Sequence, residues 1–286
     1  MQTKETMMSV KPFAITLDVG TSLANRTGSW RTLKPVYVDR LPPCNTKCPA
    51  GEQCQAWLFH AQSGNYENAW KQIIEDNPFP AVMGRVCYHT CQGACNRNGI
   101  DEPVGINAVE RFLGDYALEK GWQLPVPAAD TGKRILIVGA GPAGLSAAYQ
   151  LRRLGHAVHV VESAEAAGGM MRYGIPKYRL PREVLDQEIA RITALGVEFE
   201  FGREVKDLNA EMKSAGYDAA FLGAGASLAH RAYIPAGDAA HILDAVSVLR
   251  SMEAPDQGED AQCWAVELLF TEGVIQLLTS LERSSG

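Results

Sequence analysis

RILIVGAGPAGLSAAYQLRRLGHAVHVVE, Arg134 to Glu162, decides the fold class. Ile135 to Val138 is a short apolar run of β-forming residues, and Gly139, Gly141 and Gly144 follow it as G-x-G-x-x-G. The first glycine of such a turn permits a sharp reversal. The second lets backbone approach a pyrophosphate, and the third lets the following helix pack closely on the strand. Pro142 and Ala143 complete the GAGPAG unit and open a helix whose N-terminus favours negative charge. Ala148, Leu151, Gly155, Val158 and Val160 fit the spacing of that helix and of a second strand. Glu162 closes the second strand, where a carboxylate accepts hydrogen bonds from a ribose 2′-OH and repels a 2′-phosphate. A glycine turn with no ligand is the alternative. The complete strand, turn, helix, strand and acid context weighs against it.

The rest of the chain sets bounds on this reading. The length of 286 residues fits one large domain or two smaller ones. Hydrophobic content of 46% and charged content of 21% are those of an ordinary globular protein. Net charge is −6, and no basic patch interleaved with aromatics is present, so a nucleic-acid role has no electrostatic support. The N-terminus lacks the apolar region of a signal peptide, and no run of about 18 apolar residues predicts a membrane span. A cytoplasmic location is expected. Seven cysteines in a reducing compartment point to metal or redox chemistry rather than disulfides.

Residues 1–40 show no strong period and read as an extended arm. Residues 41–122 are cysteine-rich and read as helical, with helices predicted over 52–63, 66–76 and 105–120. The proline-containing stretch 122–132 reads as a linker. Residues 133–253 hold the glycine unit, a glycine-rich loop after Glu162, a helix over 181–195, strands over 197–201 and 219–222, and a helix over 241–252. The predicted fold class is therefore α+β overall: a helical N-terminal domain followed by a partial Rossmann-like α/β domain. In the tail 254–286, Val266, Phe270, Val274, Leu277 and Leu281 sit at helical spacing and predict one amphipathic helix.

Six of the seven cysteines fall between residues 44 and 95. They group as Cys44-x3-Cys48-Pro49 with Cys54 beyond, and as Cys87-x3-Cys91-x3-Cys95. Soft thiolates suit iron–sulfur clusters and zinc, and x3 spacing within a helix stacks thiols on one side. C-x3-C-P is also the tail of a ferredoxin-type run, although the C-x2-C that normally precedes it is missing here. An iron–sulfur cluster, a structural zinc and a set of unliganded thiols are the three readings, and the cluster fits best. His60 and His89 are not proposed as ligands, and Cys263 reads as a small apolar filler.

Taken together, CNTKCPAG (44–51), NPFPAVMGRVCYHTCQGACNR (77–97), VGINAVERFLGDYA (104–117), GAGPAG (139–144), GGMMRYGIP (168–176) and IPAGDAAHILDAVSVLR (234–250) carry a family resemblance. Over residues 35–253 the chain resembles the small (β) subunit of glutamate synthase and its relatives, including the N-terminal half of dihydropyrimidine dehydrogenase. The resemblance implies a helical domain binding [4Fe–4S] and an FAD domain, with electrons passing from NAD(P)H through FAD and cluster to a redox partner or large catalytic subunit. It implies that Cys44, Cys48 and Cys87 share one cluster, with Glu110 as a non-thiol fourth ligand, and that Cys91 and Cys95 match ligands of a second. Met83 stands where many relatives have a further cysteine. One cluster is the prediction, with two as the alternative, and the fourth ligand is Glu110, Cys91 or Cys95. A solvated helix residue is the other reading of Glu110.

For the flavin, the resemblance implies that the loop holding Gly168, Gly169 and Gly174 approaches FAD. Gly223 and Gly225 at the end of the 219–222 strand fit the same site. No side-chain acid, base or nucleophile constellation is predicted, because cofactors carry such redox chemistry. The resemblance ends near Glu253, and no second G-x-G-x-x-G follows. The reading is an FAD and iron–sulfur oxidoreductase module. The alternative is a truncated, frame-shifted or naturally split module that binds cofactors and needs another chain to oxidise NAD(P)H.

Overall fold

The computed structural model describes residues 41–226 and 245–253, and the backbone of 268–271 and 274–277. The helical region runs through α1 (Pro43–Lys47), α2 (Cys54–Gln62), α3 (Tyr66–Ile73), α4 (Pro80–Val86), α5 (Thr90–Gly93), a 3₁₀ turn at Asn96–Gly99 and α6 (Ile106–Glu119). Prolines at the starts of α1 and α4 suit a helix's first turn, where an N–H has no partner to lose. α4 and α6 pack closely because each presents glycine to the other. A Cβ on Gly84 would overlap Arg111, and one on Gly114 would overlap Ala81.

The α/β region follows as β1 (Arg134–Val138), α7 (Pro142–Arg153), β2 (Ala157–Val161), α8 (Met170–Tyr173), α9 (Arg182–Ala194), β3 (Glu198–Glu200), α10 (Leu208–Ala215), β4 (Ala219–Leu222) and α11 (Ala245–Ser251). The four strands form a parallel sheet in the order β3-β2-β1-β4. Leu136 and Ile137 of central β1 are fully buried, as a strand covered on both faces requires. The strands expected at 135–138, 158–160, 197–201 and 219–222 are all found, as are the helices over 52–63, 66–76, 105–120 and 181–195, each trimmed at one or both ends. The loop after Glu162 contains the four-residue α8, and the helix expected over 241–252 is described from Ala245.

One apolar core joins the two regions. Trp70 and Ile74 from the α3 end, Val82 of α4 and Ala117 of α6 cluster with Leu145 and Tyr149 of α7, Val160 of β2 and Leu185 and Ile192 of α9. Polar groups reinforce the joint. Tyr149 Oη donates to the Ile74 carbonyl at 2.7 Å. The fully buried Glu188 of α9 accepts N–H bonds from Ala81 and Val82 at the start of α4, at 3.1 and 3.4 Å. The segment 122–132 is packed rather than free: Leu124 is buried, and the N–H groups of Ala128 and Thr131 donate to the carbonyls of Arg153 and Gly155.

Two expectations need correction. The tail does not form an amphipathic helix through Phe270 and Val274. β5 (Leu268–Thr271) and β6 (Val274–Leu277) pair antiparallel, with Thr271 opposite Val274. The β-branched and aromatic content of the two segments favours strands. Short apolar runs carry both periods, and here the strand period prevails. The second correction concerns the thiols: Cys87, Cys91 and Cys95 do not share one helical face. Cys87 is the extended C-cap of α4, Cys91 lies in α5, and Cys95 is the extended N-cap of the 3₁₀ turn. The expected arm 1–40 and Cys263 lie outside the described residues.

Candidate dinucleotide cleft and cysteine cavity

A cleft of about 560 Å³ opens at the C-terminal ends of β1, β2 and β4, the edge at which open parallel sheets bind ligands. Gly139, Gly141, Pro142, Ala143, Glu162 and Gly169 all line it. Gly139 has φ +100°, a left-handed turn that glycine permits. Gly144 lies one step behind the wall, where a Cβ would overlap the Gly139 carbonyl oxygen and press on Ile137. This is the close helix-to-strand packing read from the sequence. Gly168 and Gly174 are not on the cleft wall. Gly168 supports the turn through its N–H bond to the Ala140 carbonyl at 2.8 Å, while Gly174 packs on Met170. Gly223 and Gly225 do line the cleft.

Glu162 acts on the protein as well as facing the cleft. One carboxylate oxygen accepts the Ala140 N–H at 2.6 Å and the other the Ala164 N–H at 2.8 Å. It therefore clamps the glycine turn to the loop after β2, with lone pairs left over for a hydroxyl. Two arginines on the wall were not anticipated. Arg203 is committed to Glu200 at 2.7 Å and to both oxygens of Glu211 at 2.9 and 3.0 Å. Arg250 lies 5.1 Å from the Tyr173 ring centroid and has no carboxylate within ion-pair reach among the described residues. Only the folded loop brings these charges beside the glycine turn.

The second cavity, about 200 Å³, lies in the helical region. Cys48, Cys87, Cys91 and Glu110 line it, as do Cys54 and Glu52, which were not predicted as ligands. Cys44 and Cys95 are absent from its wall. Cys44 Sγ faces the Asn45 side chain at 3.7 Å, and Cys95 sits beyond α5. All six described cysteines are free thiols. Glu110 is buried, which removes the reading of it as a solvated helix residue. Asn77 Nδ2 donates to both Glu110 and Glu52 at 2.9 Å and holds the two carboxylates on one wall.

Burial and mutual repulsion oppose negative charge at Glu52, Cys54, Cys87, Cys91 and Glu110, and it is favoured at Cys48 alone among these. Cys48 is lowered to about 6, chiefly by a hydrogen bond from the Cys54 thiol, aided by backbone N–H groups at Glu52, Ala50 and Gly51. Donation to Cys48 and burial push the Cys54 thiol up. Burial raises Cys91 to about 11. Burial followed by neighbouring negative charge raises Glu52 to about 7 and Glu110 to about 9. The donor atoms of Cys48, Glu52 and Cys54 lie within 4.8 Å of one another. Four soft thiols converging on one enclosed space fit an iron–sulfur cluster. The two cavities are adjacent: Pro142, at the start of α7, lines both, and Ser146 one turn on lines the cysteine side.

Comparison with known proteins agrees with this geometry. The family model for dihydropyrimidine dehydrogenase domain II, 4Fe-4S cluster, matches residues 39–122. A second, for an NAD(P)-binding Rossmann-like domain, matches residues 137–189. The glutamate synthase [NADPH] small chain of Mycobacterium tuberculosis is 34% identical over 222 residues, covering 77% of this chain and 46% of the relative. The NAD-dependent dihydropyrimidine dehydrogenase subunit PreT of Salmonella typhimurium is 38% identical over 188 residues, covering 65% and 46%. The chain is a homologue of these two subunits. The NADP(+)-dependent formate dehydrogenase subunit beta of Moorella thermoacetica is also similar, 35% identical over 236 residues, covering 73% of this chain and 33% of the relative. The chain thus spans a third to under half the length of these relatives. Among the described residues no helix is long and apolar enough to cross a membrane.

Proposed function

We propose that this chain is the flavin and iron–sulfur part of an NAD(P)H-dependent oxidoreductase of the glutamate synthase small-chain type. The cluster belongs to residues 41–122 and FAD to residues 133–253, in a reducing, cytoplasmic setting that suits six free thiols. The observation that carries the reading is the shared wall at Pro142. It sets a dinucleotide cleft and a cysteine cavity on either side of the first turn of α7, which rises about 5.4 Å per turn.

The residues of the chain bind and orient. The start of α7 presents N–H groups and positive dipole to a diphosphate. Glu162 holds the glycine turn in shape and accepts from a ribose hydroxyl. Thiolates in the cavity hold iron, with Cys48 already disposed to ionise. When bound, FAD and the cluster together convert a two-electron donor into single-electron delivery. The acceptor in this reading is a redox partner or larger catalytic subunit; the formate dehydrogenase and dihydropyrimidine dehydrogenase relatives are themselves named as subunits.

Anaerobic purification with a visible spectrum and iron, sulfide and flavin assays tests the reading. Flavin together with stoichiometric iron and sulfide is expected. Colourless protein carrying zinc would sink it. Titration with NADH or NADPH, against dithionite, then shows whether this chain alone accepts hydride or only stores electrons.

A further inference from the structure

Ser146 stands on α7 one turn beyond Pro142, where the dinucleotide cleft and the cysteine cavity meet, and it lines the cavity alone. A serine or threonine hydroxyl inside a helix can bond back to a carbonyl three or four residues earlier. Thr193 Oγ1 does so to Ile189 at 3.1 Å, Ser214 Oγ to Glu211 at 3.1 Å and Ser251 Oγ to Val248 at 2.7 Å. Ser146 Oγ makes no such bond and has no other hydrogen-bond partner among the described residues. The other hydroxyl and amide donors on the same wall are committed. Thr90 Oγ1 donates to the Lys47 carbonyl at 2.9 Å, and Asn77 Nδ2 donates to Glu52 and to Glu110, both at 2.9 Å. Asn77 thereby uses both of its N–H donors.

The wall is thus rich in sulfur and carboxylate acceptors and has one uncommitted hydroxyl, placed on the side nearest the flavin cleft. A serine O–H rotates to suit whichever acceptor is offered. Hydrogen bonds to the sulfurs of an iron–sulfur cluster are among the levers that set its reduction potential. A donor there stabilises the reduced state more than the oxidised one, because reduction adds negative charge to the acceptor and charge-assisted bonds are the stronger kind. Resting on the electron-transfer reading above, we propose that the Ser146 hydroxyl donates to a sulfur of the cluster in this cavity and raises the potential of that cluster. This favours electron arrival from the flavin side. A Ser146 that served packing alone would be matched by alanine, the better helix former.

The test compares the wild type, Ser146→Ala and Ser146→Thr in the full chain, purified anaerobically and titrated electrochemically with the cluster followed by EPR. Ser146→Ala should keep wild-type iron per chain, flavin per chain and Tm. At a fixed potential its ratio of reduced to oxidised cluster should fall about tenfold, roughly what one hydrogen bond contributes and equivalent to about 59 mV for one electron. Ser146→Thr keeps the hydroxyl and should stay near the wild type. After exchange into deuterium oxide, electron–nuclear double resonance on the reduced cluster should show a coupled deuteron in the wild type that Ser146→Ala lacks. An unchanged potential and an unchanged deuteron spectrum in Ser146→Ala would overturn the assignment and leave the electron-transfer reading standing. An equal fall in Ser146→Ala and Ser146→Thr, or a loss of iron and Tm in Ser146→Ala, would mark a packing role and overturn it as well. A wild-type chain that takes up no iron would overturn it together with the electron-transfer reading.

Discussion

Gly144 shows how one missing methyl decides a site. Its Cα faces the Gly139 carbonyl so closely that a Cβ has no room, and the atoms it would strike are backbone. Gly144→Ala should therefore push α7 off β1 and reduce bound flavin per chain to near zero, read from the flavin absorbance of the purified protein. Glu188 offers a second residue-level test. Burial raises it to about 8 despite two N–H donors and the nearby Arg191. Its folded value lies above the ordinary 4.5, so the folded state holds the proton more tightly than the unfolded chain. Its contribution to stability is full below the unfolded value and is lost as pH rises through about 8. Thermal melts between those limits should show Tm falling with pH in the wild type. Glu188→Gln should flatten that slope.

Between elements, the contacts that matter join the helical region to the α/β region. Tyr149 of α7 reaches the carbonyl of Ile74 just past α3, and both partners are buried. Tyr149→Phe leaves that carbonyl without its donor and should cost about 1–3 kcal/mol in urea unfolding. The β1-α7-β2 unit was legible because a strand, a glycine turn and a helix punctuate one another within 29 residues. The helix start at Pro142 was legible for the same reason, since proline and glycine report backbone requirements directly, whereas α4 starting at Pro80 was not among the predicted helices. The pairing of β5 and β6 was not legible, because Phe270 and Val274 fit a helical stripe as well as opposed strands. Nor was the place of Cys54 on the cavity wall: chain spacing relates thiols along one element, while the wall is lined from the ends of several.

For the molecule as a whole, one core from Trp70 to Val197 joins the helical and α/β regions, while Cys54 and Cys91 pack in a second apolar cluster with Trp57, Ile73 and Leu113. Denaturation followed by tryptophan fluorescence and by far-UV circular dichroism should give coincident transitions over residues 41–226, as a two-state unit does. Non-coincident curves would show that the helical region opens separately. The two ligand sites nonetheless have different walls, with only Pro142 in common. Stripping iron with a chelator after oxidation should therefore lower Tm while flavin per chain stays near its starting value, and parallel loss of both would contradict this division.

The amino-acid sequence by itself determined the parallel unit, the glycine turn that receives a dinucleotide and the presence of a thiol-rich helical region. Each depends on local requirements: φ sign, helix starts, periodicity and ligand softness. The tertiary structure alone decided which thiols share a cavity, that Glu110 is buried on Asn77, and that cavity and cleft meet at Pro142. Those facts depend on how α1, α2, α4, α5 and α7 are packed in space, and packing brings together residues that no spacing along the chain relates.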